Sequence, residues 1–80
     1  MKREMEFKME INYPDMVRGK EVDVEEACLQ EGLVVYYTII PSIAMSGNFR
    51  RQEALKNLHG IITDRREDGL AYYLTVEFEE

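Results

Sequence analysis

The run Leu33-Val34-Val35-Tyr36-Tyr37-Thr38-Ile39-Ile40 constrains this chain more than any other stretch. It carries no charge, and most of its residues are β-branched or aromatic, types that fit a pleated, packed surface. It falls well short of the roughly 20 apolar residues that a membrane helix needs, and its apolar positions lack helical spacing. The pattern predicts a strand buried on both faces, opened by Gly32 and closed by Pro41.

Two further stretches have a period of two. In residues 4–13, Met5, Phe7, Met9, Ile11 and Tyr13 alternate with Glu4, Glu6, Lys8, Glu10 and Asn12. This predicts a strand with one face on a core and one wet, mostly acidic face. Pro14-Asp15 breaks it. Leu70, Tyr72, Leu74, Val76 and Phe78 repeat the alternation near the other end of the chain. Before them, residues 61–66 read as a strand that becomes polar as it leaves the core. Glu67-Asp68-Gly69 carries the Asp-Gly signal of a tight hairpin.

Two segments read as helices. Asp23 and Glu26 have capping-box spacing, and Glu25 and Glu26 suit the positive end of a helix dipole. With Gly32 as terminator, they predict a helix over 24–31 with Val24, Ala27 and Cys28 on its apolar stripe. The rival reading places Val22 and Val24 in a short strand. Ser46-Gly47-Asn48 supplies two possible N-caps for a second helix, from about Phe49 to His59, with Ala54, Leu55 and Leu58 on one side and Gly60 at its end. The expected fold is α+β: a single domain over 1–80, built as a two-layer sandwich. A mixed parallel and antiparallel sheet of about four strands carries two short helices on one face.

Composition narrows the function. The net charge is −6, from 16 acidic and 10 basic residues. A general nucleic-acid binder spreads Lys and Arg over its surface, so nucleic acid is not expected as a direct ligand. The acidic surplus suits a basic partner, and in the extreme an acidic decoy of a basic nucleic-acid-binding surface. The single cysteine, Cys28, cannot form an internal disulfide, and the opening residues do not read as a signal peptide. A reducing, cytoplasmic setting without a membrane span is expected. Eighty residues bury a thin core, a shortage that dimerisation relieves.

Candidate sites follow from residue types. Ser46, Gly47, Asn48, Phe49, Arg50 and Arg51 would form an anion- or nucleotide-binding site if a helix began there, because a helix N-terminus offers free N–H groups and arginine clasps phosphate or carboxylate. The plainer reading pairs these arginines with the chain's own acids. Arg65 and Arg66 sit at a charged hairpin tip, a solvated feature or a partner contact. Cys28 and His59 are each unique and would form a nucleophile–base pair only if the fold joined them; a core cysteine and an inert helix-end histidine is the simpler account. Glu4, Glu6 and Glu10 line one strand face, which any wet sheet face would also show. One Cys and one His do not make a zinc site, and no cofactor is expected. The pairs Tyr36-Tyr37 and Tyr72-Tyr73 put one ring on each face of their strands, and tyrosine on an open sheet face is an interface feature. The sequence therefore predicts a non-catalytic protein-interaction module, homodimeric through its sheet face.

Overall fold

The computed structural model describes residues 1–80. It contains seven strands: β1 Lys2–Met9, β2 Glu21–Leu29, β3 Val34–Ile39, β4 Ala44–Ser46, β5 Phe49–Arg50, β6 His59–Asp68 and β7 Ala71–Glu79. Its only helical pieces are 3-10 turns at Gln30–Gly32 and Arg51–Glu53. Every strand pairing is antiparallel. The α+β sandwich with a mixed sheet and two helices is therefore overturned; the molecule is a β structure.

Both predicted helices fail for physical reasons. Residues 24–29 belong to β2, where Val22 and Val24 point into the core while Glu21, Asp23 and Glu25 face solvent. As a helix, the segment would bury only a narrow stripe. As a strand it pairs with β3 at six positions, from Val24↔Ile39 to Leu29↔Val34. The capping acids describe one turn of backbone, and the ladder outweighs it. Gly32, at φ 90, serves the turn between β2 and β3, after Gln30 and Glu31 at φ 51 and 58. Residues 49–59 could not bury Phe49 and the Ala54–Leu58 stripe on one helical face. An irregular path solves this: Phe49 packs against the core from β5, and Leu55 turns in, 7% exposed.

The strands form a ring, β2-β6-β7-β1-β4-β3, closed by pairing of β3 with β2. β2 closes it by changing neighbours, using Glu21–Asp23 against β6 and Val24–Leu29 against β3. β2, β3 and β4 are consecutive, and β6 returns beside β2, which is a Greek-key order. β4 and β5 are two pieces of one line along β3. The register shifts by one residue between Thr38↔Met45 and Val35↔Phe49, so Ser46-Gly47-Asn48 forms a bulge. There the Ser46 hydroxyl accepts the Tyr37 N–H at 2.8 Å, in place of a ladder bond.

The inside of the ring is filled by Met5, Phe7 and Met9 of β1, Val22 and Val24 of β2, Val35, Tyr37 and Ile39 of β3, Ile62 of β6, and Leu74, Val76 and Phe78 of β7. The period-two reading is met there for Met5, Phe7 and Met9 and for Leu74, Val76 and Phe78, with Phe7 paired to Leu74. It is corrected at its ends: β1 stops at Met9 and leaves Ile11 65% exposed, and Leu70 precedes β7 in the turn, 98% exposed. The hairpin at residues 67–69 is also met: Asp68 pairs with Ala71 around Gly69 and Leu70, with Gly69 at φ 67. The run 33–40 is corrected. Val35, Tyr37 and Ile39 are fully buried, Val34, Tyr36 and Thr38 half-buried, and Leu33 and Ile40 exposed. A barrel strand has one inside face, so half of an apolar run must look outward.

Segments outside the strands close the two ends. Residues 10–20 cross one end and carry Met16 into the core. Arg65 fixes them, donating to the carbonyls of Tyr13 and Met16 at 2.9 Å each and to Asn12 Oδ1 at 2.6 Å. Residues 51–58 close the other end, where the Leu55 N–H donates to the Tyr37 hydroxyl at 2.7 Å and that hydroxyl donates to Glu26 at 2.8 Å. No helix is long and apolar enough to cross a membrane.

Candidate functional site

Strand register assembles one continuous surface on the outside of the barrel. Arg66 of β6 lies beside Tyr73 of β7, Tyr73 beside Lys8 of β1, Lys8 beside Met45 of β4, and Met45 beside Thr38 of β3. In antiparallel sheets such directly opposed residues share a face. Lys8, Thr38, Met45 and Tyr73 each adjoin a core position on their strands, and Arg66 follows Arg65, which is paired with the core residue Leu74, so the row faces outward. At the end of the barrel near residues 10–13, the row borders a groove of about 540 Å³. Ile11 and Tyr13 line one side, Ser42, Ile43 and Ala44 another, and Glu6, Lys8, Glu10, Met45, Ser46, Gly47 and Tyr73 complete it.

This surface mixes apolar and charged groups. Ile11 is 65% exposed and Met45 51%, and burying such side chains against a partner is worth about 1.5–3 kcal/mol each at the limit of full burial. Gly47 leaves open space above the bulge, with nothing within 4 Å of where a Cβ would stand. Arg66 lies across Tyr73, 4.8 Å from the ring centroid, and its Nη1 is 3.0 Å from Glu6 Oε2. An exposed ion pair adds little stability. Here the pair and the stacking fix the Tyr73 ring beside the groove, which lowers the entropy lost when a ligand covers it.

The structure separates the residues singled out from sequence. Of the four tyrosines, Tyr73 lines the groove and Tyr36 faces outward on β3, opposite Ala27. Tyr37 is fully buried. Burial raises its hydroxyl pKa, an effect the Leu55 N–H opposes and the Glu26 carboxylate reinforces. Tyr72 packs against the core beneath Arg65, whose guanidinium is 4.9 Å from the ring centroid. Arg65 therefore holds the 10–20 crossover, and Arg66 alone belongs to the outer surface.

Ser46 to Arg51 do not open a helix; they span β4, the bulge, β5 and the start of a 3-10 turn. Arg50 Nε lies 3.8 Å from Glu53, and Arg51 Nη1 lies 3.6 Å from Glu26 and 3.4 Å from Cys28 Sγ. The Phe49 ring sits between Tyr37 and the Arg3 guanidinium, 6.4 and 5.4 Å between centres. The helix N-terminus on which the anion-binding expectation rested is absent, and both arginines already face carboxylates of this chain.

Cys28 and His59 are not brought together. The thiol lies beside Arg51. His59 sits across the β2–β6 seam, with Nδ1 2.8 Å from Asp23 Oδ1 and Nε2 2.9 Å from Glu21 Oε1. These hydrogen bonds, to Asp23 first and then Glu21, raise its pKa above the usual value of 6.5. Period two puts Lys8 on the wet face but Ile11 on the core face, whereas Ile11 lies past the end of β1 and is 65% exposed, and nothing in the sequence singles out Met45 as a surface residue. The alternation of β1 places Lys8 outward, but nothing local pairs it with Met45, in a three-residue strand 37 positions later. No family model matches this chain, and neither a curated protein nor a solved structure matches it.

Proposed function

We propose that this protein is a non-catalytic interaction module that binds a segment of another protein along the outer row Arg66-Tyr73-Lys8-Met45 and the groove beside it. The observation that carries the reading is the exposure of Ile11 and Met45 around a groove that Tyr73 also lines, with Glu6, Lys8 and Glu10 at its margin. Apolar side chains with a charged rim are the anatomy of a protein interface. Tyr73, ordered by Arg66, is the anchor of a kind enriched at binding hot spots. The net charge of −6 selects a partner segment that combines apolar with basic side chains.

A photo-crosslinking residue at Met45, in the full chain and in the cells that express it, tests this. One dominant protein adduct is expected, lost when Ile11→Glu is added. The same residue at Leu70, 98% exposed on the hairpin turn, serves as the control and should give no such adduct. Equal labelling from Met45 and Leu70, or labelling indifferent to Ile11→Glu, would overturn the reading.

A further inference from the structure

Ring closure leaves some strand edges without a partner. β1 meets β4 only at Phe7 and Lys8, so Lys2–Glu6 lack a strand on that side. β6 beyond Ile62 pairs with β7 alone. Both stretches are dense in charge, with Lys2, Arg3, Glu4 and Glu6 on one and an unbroken charged run from Asp64 to Asp68 on the other. Charge on an edge opposes pairing with another chain. β2 beyond Asp23 is different: after Glu26 its open edge runs through Ala27, Cys28 and Leu29 without a charge, and Cys28 and Leu29 are exposed.

The register shows which backbone groups are free there. The Asp23 carbonyl accepts the Ile40 N–H on the β3 side, whereas the Val24 N–H points the other way, to the Leu58 carbonyl. The ladder with β3 then runs without a bulge to Leu29↔Val34. Glu25, Ala27 and Leu29 therefore bond to β3, while Glu26 and Cys28 direct their N–H and C=O groups outward. The bonds outside the regular ladders include none from Glu26 or Cys28.

We propose that this edge pairs antiparallel with the same edge of a second copy of the chain, on a two-fold axis through Ala27. In that register Glu26 opposes Cys28 of the second copy, and Cys28 opposes its Glu26. Each is a hydrogen-bonded pair, so the outward N–H and C=O groups of Glu26 and Cys28 on both edges find partners. Ala27 meets its own counterpart in the close non-bonded pair, where a small side chain fits. Glu25 falls opposite Leu29, and no carboxylate faces another. Moving the axis to Glu26 would set two glutamates face to face, and moving it to Cys28 would leave Glu26 without its bonded partner. The contact is isologous, so it closes at a dimer instead of growing into a fibre. It lies apart from the groove and does not depend on the function proposed for it.

Amide hydrogen exchange at micromolar and millimolar chain, alongside sedimentation equilibrium, tests the pairing. In dilute solution the Glu26 and Cys28 amides should exchange fast while Ala27 and Leu29 stay protected. As the dimer forms, Glu26 and Cys28 should become protected too. Ala27→Lys puts two ammonium groups together on the axis and should return the chain to monomer, with exchange in the core unchanged. Ala27→Cys in a Cys28→Ser background should give a disulfide-linked dimer with oxidised glutathione. A monomer at millimolar concentration, or a dimer in which Glu26 and Cys28 still exchange fast, would overturn the proposal while leaving the groove reading intact.

Discussion

Tyr37 shows how one side chain can serve the core and its boundary together. Its ring is fully buried, 6.4 Å from that of Phe49, while its hydroxyl reaches the barrel end between Glu26 and the Leu55 N–H. Tyr37→Phe keeps the packing and strands the Leu55 N–H in a buried position. Leaving a buried donor unpaired costs about 1–3 kcal/mol. The urea midpoint should fall accordingly, with the slope of the transition unchanged; an unaltered midpoint would show that residues 51–58 find other partners. From sequence, Tyr37 was legible as one of a pair facing opposite ways, but not as the inward one, because Tyr36 carries the same chemistry. Gly60 illustrates the opposite error. Read as a helix terminator, it is a point of close approach inside β6, where an added Cβ would lie 2.7 Å from Val76 Cγ1 and 2.8 Å from the Glu77 carbonyl oxygen.

At the level of elements, β2 has the largest consequence and was the least legible. Asp23, Glu25 and Glu26 imitate a helix start because capping signals are local, whereas the strand is specified by β3 and β6, which follow it in the chain. The β2–β6 seam is only three pairs long, Glu21–Asp23 against His59–Ile61. His59 clamps it through Asp23 and Glu21. Because those carboxylates raise the histidine pKa in the folded state, its contribution is complete below the unfolded value of 6.5 while the carboxylates remain ionised. It is lost as pH rises through the folded value. Stability measured from pH about 5 to 9 should therefore decline on the alkaline side of 6.5 in the wild type. His59→Gln should remove that decline. A variant that keeps the full decline would show that another group is responsible.

The whole molecule is a ring, and rings are difficult to read from one sequence. β1 and β7 were legible because alternation is a local pattern and a half-buried strand obeys it wherever it pairs. The β6–β7 hairpin was legible because Asp68-Gly69 is a local turn signal. Closure depends on contacts between distant residues, Lys8 with Met45 and Asp23 with His59, and no short window contains both members of either pair. The outer surface was legible in kind, as tyrosine on a sheet face, but its membership was not, since β4 has only three residues. The same closure decides which edges remain open and which side chains meet on the barrel wall. Five methionines report on this division: Met5, Met9 and Met16 lie in the core, Met1 is at the chain end, and Met45 is on the proposed binding surface. Labelling their methyl groups and adding the protein captured at Met45 gives the most direct test of the central claim. The Met45 methyl resonance should move saturably, Met5, Met9 and Met16 should hold still, and chain concentration alone should leave Met45 unmoved. A bound partner that leaves the Met45 methyl in place would show that binding occurs elsewhere on the barrel.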